Sequence, residues 1–569
     1  MRVAKWKVKI DAVTPETKTK YHPITLALLR DRGFVDEASI ERFFRPDYDR
    51  DLHDPFLFAS MRKVVDRMKA ALDQGERIGI FGDYDADGVT SSVLLRTALE
   101  RLGFPVTVYI PHKEKEGHGV HQNALDAFKK EGVTVMFTVD CGMTNVAEVA
   151  EANRLDMDVI IIDHHHVPAI FPDAFAIINP KVLDCGYPFQ DLCGAGTTFK
   201  VIQALYQELA PEESDQLKWL LDLAAVGTVA DVMPLIGENR ALVTYGLIVL
   251  SKTKNIGLLE MYAVGKLKID EWNKPDARTI GFQIGPRINA ASRMDHGRIA
   301  HDLLASTDQA EANILANRLE QLNNERRKLS ERISSLVRAE AHAQKDRQSV
   351  IAVHPEYTIG VVGLVAGTIA REIGKPVVVL RQYDEHSTGS LRSVPGLNII
   401  EVVERCGDLL EKFGGHAQAA GLTVRNSNLP AFRERFDALV RESLPEQVTD
   451  PEQHIDIRIE PAHLSMDFLS DILSFAPFGQ GNSEPVFLLE NLFIESVRFV
   501  GTGNKHLKIV FRPDEERGKT LDGIAFSLGE RFPDLKEGDR VSVVFQLSEN
   551  TWNGASSLQL KILDMEILL

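Results

Sequence analysis

The stretch Phe81-Gly82-Asp83-Tyr84-Asp85-Ala86-Asp87-Gly88-Val89-Thr90 decides how the rest of the chain is read. The residues before it, from Arg77, spell a short apolar strand, and those from Ser91 to Arg101 place leucines and a valine at helical spacing. The aspartates therefore fall on the loop at the carboxyl end of a strand, the edge where open α/β sheets bind ligands. Asp and Gly also make ordinary loops. Carboxylates at alternate positions, however, cannot all be buried as anions without a compensating cation. A divalent ion that prefers oxygen ligands, such as Mg²⁺ or Mn²⁺, is the simplest partner.

Working outward, Ile78–Phe81, Val106–Ile110, Val133–Phe137 and Val159–Ile162 are β-branched or apolar runs separated by helical stretches. They predict an α/β fold with a parallel sheet covered on both faces. The third run leads into Thr138-Val139-Asp140-Cys141-Gly142 and the fourth into Asp163-His164-His165-His166. A lone aspartate after a strand is most often a helix cap, and a lone histidine is usually structural. Potential ligands at the same edge of successive strands are harder to explain that way. A further run, Leu223 to Pro234, is small and apolar and delivers Asp231 at its end. A buried helix stopped by Pro234 accounts for the apolar residues, and the acid is read as another ligand.

The chain has 569 residues, room for several domains. It holds no apolar run of about 18 residues, so no membrane partner is expected. The start, Met1-Arg2-Val3-Ala4-Lys5-Trp6, lacks the apolar core of a signal peptide. Cys141, Cys185, Cys193 and Cys406 form no Cys-x-x-Cys pair, which argues against zinc and against a disulfide framework. A cytoplasmic location is the resulting expectation. The net charge of −17 argues against broad nonspecific nucleic-acid binding, while leaving room for a local basic groove.

The expected organisation is a polar helical segment over 1–70, a catalytic α/β domain over 71–305 and a linker helix over 306–345. A second α/β domain over 346–450 and a small β-barrel over 451–569 follow. In Gly285–Met294 the guanidinium forks of Arg287 and Arg293 suit phosphate oxygens, or else pair with local carboxylates. The linker carries a narrow stripe of Leu319, Leu322, Leu329, Ile333 and Leu336, and its polar block Gln321–Arg327 reads as a solvated face. In the second domain a strand ends in His354, Gly389–Ser393 suits an anion pocket, and Phe413–Gly421 puts His416 on a loop. The barrel is signalled by alternating runs at Phe493–Val500 and Val541–Leu547 and by an Asn-Gly hairpin at Trp552-Asn553-Gly554. Lys505, His506, Lys508 and Arg512 beside Phe511 suggest a single-strand-binding face of the oligonucleotide-binding type.

Asp83-Tyr84-Asp85-Ala86-Asp87-Gly88, Val139-Asp140-Cys141-Gly142, Asp163-His164-His165 and Ala230-Asp231 resemble the four ordered motifs of the DHH phosphoesterase superfamily. Gly389-Ser390-Leu391-Arg392-Ser393 and Gly414-Gly415-His416-Ala417 resemble its associated second domain. From about residue 75 onward, the order is similar to that of the superfamily's bacterial single-strand-specific DNA exonucleases. The resemblance implies 5′-to-3′ degradation of single-stranded DNA to nucleoside 5′-monophosphates, in recombination and repair. It also implies a pair of divalent ions, Mn²⁺ or Mg²⁺, and a helicase and a single-strand-binding protein as partners. Asp83, Asp85, Asp87, Asp140, His164 and Asp231 become the expected metal ligands, with Asp140 bridging. Asp163 would fix a histidine tautomer, and His165 would act at the scissile phosphate, giving Asp140, Asp163 and His165 catalytic roles. Lys113, where the family often has arginine, would join Arg287, Asn289, Arg293, His354, Ser390, Arg392 and His416 in binding substrate. Two other readings stay open: a phosphodiesterase for short oligonucleotides or cyclic dinucleotides, and a noncatalytic single-strand-binding scaffold. The scaffold would show lost carboxylates, and every expected acid is present.

Overall fold

The computed structural model describes residues 5–11, 20–444, 452–513, 520–552 and 555–568. The chain forms two compact units, Leu52–Val448 and the pair of segments Met1–Asp51 with Thr449–Leu569. The fold is mixed α/β, with a parallel sheet in the first unit and a barrel in the second.

In Leu52–Val448 the first sheet is all parallel, in the order Val106–Tyr109, Arg77–Gly82, Val133–Val139, Asp158–Ile162 and Ala176–Ile178. The last strand has three residues, too few for a periodic signal. Ile80, Phe81, Val135, Phe137 and Val159 to Ile162 are all buried, as strands covered on both faces require. The chain reverses its direction of travel across the sheet at the pair Arg77–Gly82 and Val133–Val139, where Gly82 lies beside Val139. Crossover helices on either side of such a switch point diverge and leave a crevice at the carboxyl ends of the strands. The aspartate loop and Asp140 both open into it.

Helices Ala86–Arg101, Gly194–Leu209, Leu221–Ala230 and Gly285–Met294 pack together beside this sheet. A wholly buried ion pair joins Gly194–Leu209 to the helix Gly237–Leu250, with Lys200 Nζ 3.0 Å from Glu238 Oε1. Lys200 Nζ also donates to the His53 carbonyl at 2.6 Å, and the Tyr187 hydroxyl donates to Glu238 Oε2 at 2.6 Å. Burial pushes the Lys200 pKa down, against the attraction of Glu238.

The helix Gln309–Ala343 is capped by Asp308, which accepts from Glu311 N at 2.8 Å. It is not the solvated linker expected. Its buried residues include Leu319, Leu322, Ile333 and Val337, and it packs against Gly285–Met294 and against Ile359–Ile373 of the second domain. Leu336 is 40 % exposed, and Val337 takes its place in the stripe. The second sheet runs Leu410–His416, Ala419–Arg425, His386–Arg392, Val377–Gln382 and Val350–His354, with only the last pair parallel. His416 therefore ends a strand rather than sitting on a loop, and Gly389–Arg392 is also strand.

In the other unit Phe487–Val500, His506–Pro513, Leu521–Ala525, Ala555–Leu568 and Arg540–Trp552 close on themselves as a five-stranded barrel. Asn553 and Gly554 lie outside the described residues. Phe511 is in the barrel core, because the period of two that exposes Lys508 turns Phe511 inward. The exposed aromatic nearby is Phe526, edge-on to His506. The expected segment 1–70 is divided at Asp51. Lys5–Ile10 pairs in parallel with Glu452–Arg458, extending the barrel sheet. Ile24, Leu28, Leu29 and Phe43 share a core with Phe475, Phe487 and Phe545. Among the described residues, no helix is long and apolar enough to cross a membrane.

Glu238→Ala would leave Lys200 without a counter-charge in the interior, with only the His53 carbonyl to accept from it, a change that costs about 3–5 kcal/mol. Scanning calorimetry of the full chain should show a lowered melting transition for this variant, and an unchanged one would contradict the assigned role.

Candidate active site

The aspartate loop is shaped by its own carboxylates. Asp85 caps the helix Ala86–Arg101, accepting from Asp87 N at 3.0 Å and Gly88 N at 3.1 Å. Asp87 accepts from Gly194 N at 2.6 Å and Ala195 N at 2.8 Å, at the positive end of the helix Gly194–Leu209. Asp140 has φ of 61°, a left-handed backbone that Asp tolerates better than most residues, and its NH donates to the Ile162 carbonyl. Asp231 follows the last turn of the helix Leu221–Ala230. Gly227 is required here, because a Cβ on it would fall 2.6 Å from Asp87 Oδ1 and 2.5 Å from Ala195 Cβ.

These elements converge on His164. Its Nε2 lies 3.1 Å from Asp140 Oδ1, 3.6 Å from Asp231 Oδ2 and 3.7 Å from Asp87 Oδ2. Three triads each bring one ligand atom per residue within 4.8 Å: Asp83-Asp85-Asp140, Asp87-His164-Asp231 and Asp140-His164-His165. Asp140 and His164 are each shared by two of them. Asp140 Oδ1 and both His164 nitrogens are buried and have no hydrogen-bond partner. Carboxylate oxygens and an imidazole with unsatisfied atoms at this spacing fit divalent cations such as Mn²⁺ or Mg²⁺.

The electrostatics sort the residues by role. Burial, then mutual repulsion, raises Asp140 well above the usual carboxylate range, Asp85 to about 6 and Asp231 to about 8. Burial lowers His164 to about 4, which keeps the imidazole neutral as ligation requires. Asp163 is also buried, yet it is held at about 2 by His165 and by backbone donors. It accepts from His165 Nδ1 at 2.8 Å, His164 N at 2.7 Å and Met143 N at 3.1 Å. His165 rises to about 9, since its bond to Asp163 and the surrounding acids outweigh burial. Adjacent histidines thus carry different charges, one neutral and one cationic.

The expected substrate residues divide. Arg293 donates to the Gly360 carbonyl at 3.3 Å, linking the two α/β domains, and lies close enough to Asp85 to feel its charge. Lys113 Nζ lies 5.2 Å from the Tyr84 ring centroid; burial, then Arg293, lowers its pKa to about 8. Asn289 Oδ1 accepts from Ala86 N at 3.0 Å and so braces the aspartate loop. Arg287 is not brought to the acids. It pairs with Glu320 Oε2 of the long helix at 2.7 Å and donates to the Gln283 carbonyl at 2.8 Å. Residues six apart on a helix point about 120° apart, so Arg287 and Arg293 cannot share a ligand face. In the second sheet, pairing aligns Arg392, Ala419 and His416 across three strands, with Ser390 two residues along on the same face. Gly363 admits this group closely: a Cβ there would lie 3.0 Å from Arg392 Nη2 and 3.3 Å from Ser390 Oγ. His416 is exposed, and His354 accepts from Glu356 N at 3.1 Å with its ring against Tyr357.

Three family models match the chain in order: the DHH family N-terminal domain over 77–228, the DHHA1 domain over 346–442 and the RecJ OB domain over 455–564. The single-stranded-DNA-specific exonuclease RecJ of Bacillus subtilis is 37 % identical over 96 % of this chain and 68 % of its own. That of Haemophilus influenzae is 31 % identical over 95 % of this chain and 96 % of its own. The chain belongs to the RecJ family. Among solved structures, RecJ of Thermus thermophilus in complex with Mn²⁺ matches with a TM-score of 0.81 and 30 % identity, over 99 % of this chain and 79 % of that one. A RecJ structure with Mg²⁺ from the same organism matches with a TM-score of 0.74 and 29 % identity, over 99 % and 78 % of the two chains.

Within this RecJ-family site, the sequence reading left out Gly194, Ala195, Gly227 and His118. The small-residue run Gly194-Ala195-Gly196 after Cys193 was a usable signal for a helix N-terminus, though not for its aspartate partner. His118 lies in a charged loop, and no local pattern links it to Asp83, whose Oδ1 is 3.2 Å from its Nδ1.

Asp85, Asp140 and Asp231 keep their protons to higher pH in the folded chain than in the unfolded one. Between their unfolded and folded pKa values the folded state binds more protons, so the metal-free protein loses stability as pH rises. A bound cation removes that cost. Mn²⁺ should therefore raise the melting temperature more at about pH 8 than at about pH 5.5. Equal shifts at both would contradict this account, and Gly227→Ala should lose most of the shift.

Proposed function

We propose that this chain is a metal-dependent exonuclease that degrades single-stranded DNA from the 5′ end and releases nucleoside 5′-monophosphates. The observation that carries the reading is the cluster of acids around His164, with Lys113 and Arg293 close enough to Asp85 to feel its charge and Arg392 close enough to Arg293 to feel its own. The names of the RecJ relatives, single-stranded-DNA-specific exonucleases, and the Mn²⁺ and Mg²⁺ in solved RecJ structures support it.

Asp83, Asp85 and Asp140 would hold one ion, and Asp87, His164 and Asp231 the other, with Asp140 shared between them. Bound there, two Mn²⁺ or Mg²⁺ ions supply charge neutralisation at the phosphate and an activated water for in-line displacement. Asp163 holds His165 as an imidazolium facing the cluster, where it stabilises charge on the scissile phosphate and can donate a proton to the leaving oxygen. Asn289 keeps the aspartate loop in place. Ser390, Arg392 and Lys113 grip the 5′-terminal phosphate, and Arg293 neutralises charge between that end and the metals. His354 and His416 flank the strand from the second domain. Arg287 acts through the long helix rather than on DNA.

Holding the terminus at a set distance from the metals makes the cut one nucleotide from the end. The barrel adds affinity for the single strand through Lys505, Lys508, Arg512 and Phe526. A single-strand substrate implies a helicase to supply it, a single-strand-binding protein on it, and work in DNA recombination and repair in the cytoplasm.

A time course on long single-stranded DNA, labelled separately at each end, tests the reading. Early mononucleotide release from the 5′ label is expected, with Mn²⁺ present. Loss of activity by at least about a hundredfold is expected with Asp140→Ala or with chelator. Turnover of dinucleotides alone would overturn it in favour of a small-substrate phosphodiesterase, and binding without turnover in favour of a scaffold.

A further inference from the structure

The polar block of the long helix holds a group that the proposed mechanism has not used. Asn323 is buried within this block, and its Oδ1 accepts from Arg326 Nη2 at 2.9 Å. Arg326 Nε is buried and has no hydrogen-bond partner. Burial disfavours its charge, and the neighbouring charges that act on it, Arg293, Arg327 and Arg287, are all positive. Arg293 likewise acts on Lys113 and on Arg392. Geometry places these groups together: Arg293 donates to the Gly360 carbonyl at the start of the helix Ile359–Ile373, Gly363 of that helix adjoins Arg392 Nη2, and the long helix packs against both Gly285–Met294 and Ile359–Ile373.

Among the ion pairs of the described residues, none joins a carboxylate to Arg326, Arg293, Arg392 or Lys113. The acids that reach Arg293 and Lys113 electrostatically are Asp85 and Asp83, which belong to the metal site, and Glu114. A buried guanidinium donor left unpaired is costly, and like charges gathered without counter-charge raise that cost. The missing partner is an anion with several acceptor oxygens. A phosphodiester carries one negative charge, whereas a terminal phosphate monoester carries about −1.5 to −2 near neutral pH. The number of convergent cations matches the monoester better.

We propose that Arg326 is a further substrate-binding residue, contributed by the long helix to the pocket for the 5′-terminal phosphate monoester. This rests on the exonuclease reading above and extends it. Asn323 holds one edge of the guanidinium and leaves Nε for the phosphate. The long helix thereby becomes part of the device that distinguishes a phosphorylated end from the interior of a strand.

The test is fluorescence anisotropy with the full chain, in chelator to prevent hydrolysis. Short 3′-labelled single strands carry either a 5′-phosphate or a 5′-hydroxyl. The wild type should bind the phosphorylated strand about tenfold more tightly, a contrast typical of charge-assisted contacts. Arg326→Gln should lose most of that preference by weakening the phosphorylated strand alone, and exposed Arg327→Gln should keep it. Arg326→Lys keeps the charge but loses the fork, so the preference should fall at least about threefold; this variant decides the matter if Arg326→Gln does not fold. An unaltered preference in Arg326→Gln, or equal weakening of both strands, would overturn the proposal while leaving the exonuclease reading intact. A wild type that binds neither strand and degrades none would instead overturn the exonuclease reading, and this inference with it.

Discussion

Mutual repulsion among buried carboxylates is the constraint on which the catalytic unit depends. Asp83, Asp87 and Asp140 are all nearly inaccessible, and Asp85 and Asp231 adjoin them. The fold assembles these groups with few internal cations to balance them, and Asp140 and His164 keep buried atoms unsatisfied. Such a cluster is stable only when protonated or when occupied by positive charge. Its geometry is therefore held from outside, by covalent attachment to rigid strand ends and by backbone donors.

Several features make sense as part of that scaffolding. The N-terminus of the helix Gly194–Leu209 fixes Asp87 through two backbone NH groups. A glycine at 227 lets the helices come close enough for this to happen. Asp140 occupies a left-handed backbone between the strand Val133–Val139 and the turn that follows. Asp163, by contrast, saturates its own oxygens with NH donors and a histidine. It remains an anion, hydrogen-bonded to His165.

The acidic balance of the chain conceals a local separation of charge. Overall the net charge is −17, yet where the two α/β domains meet, Arg293 is close enough to Lys113, Arg326 and Arg392 to act on all three. The long helix makes this possible. Its apolar residues join the cores of both domains, and its Arg287–Glu320 bond anchors it to Gly285–Met294. A helix that looks polar along most of its length is thus a packed spacer that sets the distance between acids and cations.

The strand-end motifs were legible because a strand followed by a helix presents its loop at one sheet edge whatever the rest of the chain does. The alternation of Lys5-Trp6-Lys7-Val8-Lys9-Ile10 was equally regular, but only long-range pairing reveals that it continues the sheet of residues 452–458. Phe511 and Leu336 were misplaced by one step of a period, the scale at which local patterns lose certainty about which face is buried. Sequence alone determined the parallel sheet, the order of the acids and histidines, and the barrel at the end, since each follows from local periodicity and short-range spacing. Tertiary structure alone decided that Arg287 turns to Glu320, that Gly194 and Ala195 hold Asp87, that His118 reaches Asp83, and that Arg326 joins the basic cluster. Those contacts bring together residues tens of positions apart, and their partners are chosen by helix packing and chain reversal, which no local pattern encodes.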